Sequence, residues 1–364
     1  MVSEILIRLL RIALGNEDSF RLPDSVDWEE VIQLAMSNGL DALAFDGLNV
    51  LYDHSSPEVA AALDASLSEK KYDWLSLTMQ AEQDYEAYRE KLGDLSAFLR
   101  EEGFRIMVLK GYGLSLDYPI PAHRPTGDID LYLYGRGEDA DARIQAKLGV
   151  EVKQEGDKHS RFRYQGLSVE NHASFLSVVE HPSLRGIEAF LKQEAQNAPM
   201  VKLGDAEISI PSPTMNAVFL PCHMASHFVF EGMPLKQLVD WAVFVMRHGK
   251  EVDWAIVHSM AEEAGSFEFF RAMNGIATSY FGVSLECLPD WGRDVPLEKR
   301  IWEDTWMPRR DLAARNSWEK VRDYFSLNWK FRLVYRESLF TYAVRHGLSL
   351  LRGRLFPGAR RVWG

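Results

Sequence analysis

Short apolar runs bounded by glycine or polar turn residues fill residues 104–211, and amphipathic helical sequence lies on both sides of this block. RIMVLKG, DIDLYLYG, VEVKQEG, SRFRYQG and LSVENHASF each have the length of one strand, and DADARIQAKLG has helical character. VKLGDAEISIP predicts a hairpin with a Gly-Asp turn. The chain is therefore expected to form a mixed sheet with a few helices, enclosed by helical regions.

The flanking regions show the helical period. Apolar residues recur at helical spacing near the N-terminus, and residues 60–100 are nearly free of glycine and proline. Asp27 is the expected N-cap of WEEVIQLAMSNG, while Ser212 or Thr214 and then Asp253 are expected to cap later helices. We predict an α+β protein with an N-terminal helical region over 1–103, a sheet domain over 104–211, and a C-terminal helical domain with a basic tail over 212–364.

Composition limits the compartment and the class of partner. The 364 residues include 41 Lys and Arg against 53 Asp and Glu, and the net charge of −12 argues against nucleic-acid binding by a broadly positive surface. Two cysteines exclude a disulfide scaffold and a Cys-rich zinc module. No signal-peptide pattern and no uncharged apolar run of ~18 residues is present, so a cytoplasmic protein without membrane insertion is expected.

The basic residues are concentrated at the C-terminus. Residues 329–364 contain eight Lys and Arg but one acid, Glu337, which gives this segment a net charge of +7. We interpret the segment as a solvated helix face followed by a frayed tail. A surface for an anionic partner, such as a polynucleotide, a phospholipid or an acidic protein, is the alternative.

Residues 108–133, VLKGYGLSLDYPIPAHRPTGDIDLYL, combine a turn suited to phosphate with a pair of carboxylates. The Lys-Gly-Tyr-Gly sequence at 110–113 is expected to be a strand-to-helix turn, whose backbone N–H groups suit a phosphate. Asp128 and Asp130 flank Ile129 in a strand, so their side chains point to the same face. Two adjacent carboxylates repel each other, and a divalent cation is the usual reason to hold them together.

The order of turn, short helix and Asp-x-Asp strand resembles the nucleotidyltransferase superfamily of the DNA polymerase β type. The Lys110-Gly111 turn, with Arg124 four residues before the first acid, is more specifically similar to the bacterial family of uncharacterised nucleotidyltransferases. The resemblance covers residues 104–175. It implies a polymerase β-like nucleotidyltransferase fold for the mixed-sheet domain at 104–211, which would be the catalytic domain.

The resemblance also requires a third carboxylate from a later strand. Glu170 is the preferred residue because it ends a strand-like run and is followed by His172 on the same face. The Glu-x-His pair is itself similar to the family's pattern. Glu151 and Glu155 are the alternatives, although their surroundings are more polar and less strand-like.

The implied reaction is transfer of a nucleoside monophosphate from an NTP donor to an acceptor hydroxyl or phosphate, with release of pyrophosphate. The catalytic and metal-binding residues would be Asp128, Asp130 and Glu170, with two Mg²⁺ ions expected and Mn²⁺ as the alternative. Glu170 is also a candidate general base. The acceptor (a small molecule, a protein or an RNA end) and the oligomeric state stay open. The nucleotide- and phosphate-binding residues implied are Lys110, Gly111, Gly113, Arg124, His172, Lys236 and Asp240.

Other interpretations are possible for several of these features. A catalytically silent nucleotide-binding, regulatory or interaction module on the same fold is the main alternative to an enzyme. His223 and His227 share a helix face but lack the Glu of H-E-x-x-H, so they are interpreted as packing histidines or as a face that closes over the nucleotide. The stripe of His159, Arg161 and Arg163 would face either a phosphate or solvent. Signatures of kinases, P-loops and dinucleotide-binding folds are absent from the sequence.

Overall fold

The computed structural model describes residues 1–23, 25–155, 158–204, 206–307 and 326–345. Within these residues the protein has the expected α+β architecture, in which helices precede and follow a mixed sheet. No helix in the described ranges has the length and apolar character needed to cross a membrane. The part of the basic tail beyond residue 345 lies outside the described residues.

Five helices form the N-terminal region. The cap predicted at Asp27 is confirmed, since its side chain accepts a hydrogen bond from the backbone N–H of Glu30 at 3.1 Å. The first and third helices pack closely at Gly47, where a Cβ atom would collide with the backbone of Leu9. Glycine is therefore required at this crossing. The helices are α1 (Val2–Ala13), α2 (Trp28–Ser37), α3 (Asp41–Asp53), α4 (Pro57–Leu67) and α5 (Lys70–Glu101).

The described residues form a seven-stranded sheet with the order β3-β4-β5-β2-β1-β7-β6. β2 is antiparallel to β1 and parallel to β5, and the β2–β5 register places Asp130 beside Glu170. The predicted hairpin is confirmed as the antiparallel pair β6 and β7. The strands are β1 (Met107–Leu109), β2 (Ile129–Tyr132), β3 (Lys153–Glu155), β4 (His159–Tyr164), β5 (Leu167–His172), β6 (Met200–Leu203) and β7 (Ala206–Ser209).

The remaining helices connect strands or follow the sheet. Ser212, and not Thr214, caps the first helix after the sheet by accepting from the N–H of Met215, and the predicted cap at Asp253 is confirmed. These helices are α6 (Gly111–Ser115), α7 (Gly137–Leu148), α8 (Arg185–Gln196), α9 (Pro213–Phe230), α10 (Leu235–His248), α11 (Trp254–Ala264), α12 (Phe267–Phe281), α13 (Val295–Thr305) and α14 (Asn328–Val334).

The two faces of the sheet contribute to different apolar cores. Val108, Ile129 and Leu131 pack with the C-terminal half of α5. Met107 and Tyr132, on the opposite face, join a larger core that also contains helices from both ends of the chain. Because Ile129 faces the first core, the two-residue period directs Asp130 to the other face. The domain boundaries at residues 103 and 211 stay a prediction.

Candidate active site

Three side chains from two parallel strands meet on one face of the sheet. One ligand atom from each of Asp130, Glu170 and His172 lies within 4.8 Å of the other two. His172 Nε2 donates to Asp130 Oδ1 at 3.0 Å and lies 3.6 Å from Glu170 Oε2. The β2–β5 register and the strand period produce this arrangement. Two carboxylates and an imidazole are a donor set that can hold a divalent cation.

Asp128 lies at the mouth of the same cavity. It precedes the first paired residue of β2 and is exposed, whereas Asp130 is only 6% exposed. Both carboxylates line the cavity together with Glu170. Asp128 and Asp130 were expected to point to the same face, and this placement agrees with that expectation. The group of ligand atoms that lie within 4.8 Å of one another, however, contains His172 and not Asp128.

The Lys-Gly turn has an unusual backbone conformation. Lys110 has a φ of 47° and ψ of −131°, and Gly111 has a φ of 35°. A Cβ atom on Gly111 would lie 2.8 Å from the hydroxyl oxygen of Tyr88, and this contact together with the positive φ favours glycine there. Gly113 lies two residues later, inside α6 and against Ile210. The Lys110 ammonium is directed back to the carboxylates, 3.0 Å from Asp130 Oδ1.

The surrounding charges keep both the Asp130 and the Glu170 carboxylates ionised. Burial opposes the charge on Asp130, but the Lys110 ammonium and the His172 hydrogen bond outweigh it and hold the pKa of Asp130 well below its usual range. The nearby His172 ring also lowers the pKa of Glu170 to about 2, against the effects of burial and of Asp130. Efficient general bases have pKa values near the working pH. The low pKa favours the ionised form that binds a cation, and the general-base role of Glu170 stays a prediction.

Strand β4 brings basic groups to the site. In the β4–β5 register Arg161 lies opposite Glu170, and its guanidinium donates a hydrogen bond to that carboxylate. His159 lies opposite His172, with ring centroids 5.3 Å apart. The first two residues of the predicted basic stripe therefore face the carboxylates. The His-x-Arg alternation in the sequence indicated that these two side chains share one face of a strand. It did not indicate which strand lies beside β4.

Arg124 and Asp240, both predicted to bind nucleotide, bind each other. Arg124 Nε and Nη2 donate to Asp240 Oδ1 and Oδ2 at 2.9 and 3.0 Å, and both side chains are buried. Tyr118 also donates to Asp240 Oδ1, at 2.8 Å. This group fastens α10 to the segment that leads into β2. The two residues line the cavity, and their contact with a nucleotide stays a prediction.

Lys236 lies one helical turn before Asp240 on α10 and lines the same cavity. No hydrogen bond or ion pair joins its ammonium to any part of the chain that the structure describes. Burial, with the positive charges of Arg124 and Lys110, lowers its pKa. A cation in such surroundings favours the approach of an anion.

The cavity has a volume of about 570 Å³, within the range of small-molecule sites. The turn between α2 and α3, residues 37–39, forms part of its wall, so the N-terminal helices reach the site. Gly39 packs so closely on Pro125 that a Cβ atom would lie 3.1 Å from it. Trp241 also lines the cavity, and its buried Nε1 has no hydrogen-bond partner within the described residues. No sequence motif predicted that residues 37–39 or Trp241 would line this cavity.

A family model and a solved structure are similar to this chain. A family model described as uncharacterised nucleotidyltransferase matches residues 24–282, a span that includes every strand and the helices α2 to α12. The chain is also similar to the crystal structure of an antigenic nucleotidyltransferase-like protein from Paracoccidioides brasiliensis. The match covers 43% of this chain and 74% of that chain, at 14% sequence identity and a TM-score of 0.31. No curated protein matches the chain.

Proposed function

Because the chain belongs to the family of uncharacterised nucleotidyltransferases, we propose that it transfers a nucleoside monophosphate from an NTP to an acceptor hydroxyl or phosphate and releases pyrophosphate. One observation carries the proposal: Asp130 and Glu170, which together with His172 could hold a cation, line the same cavity as Lys236, whose ammonium has no partner among the described residues. A metal–triphosphate needs both kinds of contact, since the metal requires anionic ligands and the phosphates require cations.

The residues present fit a divalent cation, and Mg²⁺ or Mn²⁺ is the expected ion. Asp130 and Glu170 are ionised and near each other, and Asp128 can approach from the mouth of the cavity. When bound, such a cation polarises the phosphoryl group and lowers the pKa of an attacking hydroxyl. Whether one ion or two bind is part of the proposal's test.

The lysines and the buried ion pair have separate roles in this proposal. Lys236 binds the triphosphate, because its ammonium lines the cavity and has no partner within the described ranges. Lys110 stabilises the negative charge that develops on the transferred group. Arg124 and Asp240 hold α10, and with it Lys236, against the segment before β2.

In the reaction, the acceptor oxygen bonds to the α-phosphorus while the bond from the α-phosphorus to the bridging oxygen breaks. Pyrophosphate leaves with the electron pair, and the acceptor's proton is released to water.

Calorimetric titration with each of the four NTPs, with and without Mg²⁺, tests the proposal. The wild type is expected to bind at least one NTP in a metal-dependent way. Lys236→Met removes one charge-assisted contact of roughly 1.5–3 kcal/mol and should weaken binding about 10- to 100-fold. Asp130→Asn should abolish the dependence on Mg²⁺. The matched control is Lys299→Met on α13, whose lysine is 70% exposed, and it should bind as the wild type does.

Transfer is then measured by incubating the protein with α-labelled NTP and fractionated cell extract. Labelled product that is absent with Asp130→Asn supports the enzyme. A folded wild type that binds none of the four NTPs would contradict the proposal and favour the catalytically silent module.

A further inference from the structure

A second, smaller cavity adjoins the catalytic one. Its volume is about 190 Å³, below the range of drug-sized sites, so its occupant would be a small molecule. His223 on α9 lines both cavities, and its Nε2 lies 3.4 Å from the Lys110 ammonium. A ligand in the small cavity would therefore lie next to the group that contacts Asp130.

A lysine in the wall of the small cavity makes no direct ion pair with the residues that the structure describes. This lysine is Lys158, and the described residues supply no hydrogen bond to its side chain either. Burial and the neighbouring ammonium of Lys110 lower the pKa of Lys158 to about 8, while the carboxylates of Asp130 and Glu170 oppose this shift. Placing a charge away from water is costly unless it is paired. An anionic ligand would supply the missing partner.

A buried histidine provides a second, independent sign of a ligand. His181 is 2% exposed and is stacked on Tyr335, with ring centroids 3.6 Å apart and planes within 5°. Its ring nitrogen Nδ1 has no hydrogen-bond partner within the described chain. Burial lowers the pKa of His181 to about 4, so the ring is neutral. Unpaired buried polar atoms are rare in proteins and call for an explanation.

The wall near Tyr335 is held firmly in place. Glu337 accepts hydrogen bonds from both the backbone N–H and the hydroxyl of Ser183, each at 2.7 Å. Tyr342 lies parallel to His181 at 5.1 Å. These contacts fix the segment that contains Tyr335 and Tyr342 against the segment after β5. The cavity is thus built from several distant parts of the chain.

We infer that this cavity binds the acceptor, and that the acceptor is a small hydroxy compound with an anionic group, either a carboxylate or a phosphate ester. The inference rests on the proposed nucleotidyltransferase function. Lys158 binds the anionic group, and the hydroxyl lies toward His223 and the catalytic carboxylates. The hydroxyl oxygen then bonds to the α-phosphorus, pyrophosphate departs with the electrons of the broken P–O bond, and the hydroxyl proton passes to water.

Calorimetric titration of the full-length protein with glycerol 3-phosphate, glycerate and inorganic phosphate tests the inference, with glycerol as the uncharged control. We expect at least one of the two hydroxy anions to bind, and the one that binds identifies the anionic group. Lys158→Met should weaken that binding by at least ~10-fold, as for one charge-assisted contact. This variant removes an unpaired charge, so its folding should be preserved or improved. Lys153→Met, whose lysine is 67% exposed on β3, is the matched control.

Two comparisons separate this inference from the proposed function. Lys236→Met should weaken NTP binding but leave anion binding intact, and Lys158→Met should do the reverse. Label transfer from NTP to the bound hydroxy anion supports the acceptor role. Failure of every anion to bind, or equal binding by Lys158→Met and the wild type, overturns the inference even if NTPs bind. If no NTP binds but an anion binds through Lys158, the proposed function fails and the acceptor role fails with it.

Discussion

Replacement of Lys110 by glycine and by alanine separates the backbone of the turn from its ammonium group. Lys110 has a φ of 47° and ψ of −131°, a conformation that side chains with a Cβ atom rarely adopt. Such strain costs about 1–3 kcal/mol. Glycine relieves the strain but loses about 0.4–1 kcal/mol through the greater freedom of the unfolded chain. Lys110→Gly should therefore be more stable than Lys110→Ala by about 1 kcal/mol, the reverse of their order in an ordinary helix.

Both variants lose the ion pair with Asp130, so the difference between their free energies of unfolding reports the effect of the backbone conformation alone. Both should unfold at lower urea concentration than the wild type, because removing one partner of a buried ion pair costs about 3–5 kcal/mol. Asp130 keeps its hydrogen bond from His172, so the expected loss of unfolding free energy lies at the lower end of this range. Relief of strain in Lys110→Gly offsets part of that loss.

The free energy of unfolding from urea titration is the measurement. Arg136 provides the control because it precedes α7 as Lys110 precedes α6, but with a φ of −102°. Arg136→Gly and Arg136→Ala therefore report the ordinary preference for glycine before a helix. If the glycine variant at position 110 gains no more over alanine than it does at position 136, the reasoning from backbone strain is wrong.

Three further outcomes are expected. Burial disfavours the charged form of His123, but hydrogen bonds to Asp46 and Glu82 outweigh it and raise its pKa above 6.5. The stabilisation is therefore complete below pH 6.5 and lost as the pH rises through the raised pKa, so urea titrations of the wild type and His123→Gln should converge at alkaline pH. Arg124→Lys loses the bidentate contact with Asp240 on α10, so it should lower the free energy of unfolding by about 3 kcal/mol and weaken NTP binding. A variant as stable as the wild type would contradict the role assigned to Arg124. Mn²⁺ titration followed by electron paramagnetic resonance should show binding that Asp130→Asn abolishes, and unchanged binding would move the cation site elsewhere.

Local signals allowed much of the fold to be predicted. Gly-bounded strands and helix caps such as Asp27 depend on residues close together in sequence, and the structure contains them. The meeting of Asp130 with Glu170 and His172 follows from the two-residue strand period once β5 lies beside β2. The resemblance to the family supplied that neighbour relationship, which periodicity alone does not determine.

Long-range pairings were beyond the reach of local patterns. Arg124 and Asp240 are 116 residues apart, and nothing in their spacing shows that each binds the other. Lys158 follows the polar sequence Glu-Gly-Asp and carries no motif, so its position in the cavity wall depends on helices far along the chain. The wall formed by residues 37–39 depends in the same way on how α2 and α3 pack near Pro125. Such features arise from tertiary packing.

The charge balance of the site explains why a strained lysine is kept at position 110. Glycine would adopt this backbone conformation without strain, but it would remove the ammonium from the Asp130 carboxylate, which is only 6% exposed and would keep the hydrogen bond from His172. The ammonium offsets the desolvation of that carboxylate and holds its pKa low before any metal arrives. A divalent cation held by Asp130 would supply the same positive charge, and the Lys110 ammonium would then be available to a phosphate. The strain of about 1–3 kcal/mol is therefore smaller than the loss of about 3–5 kcal/mol that it prevents.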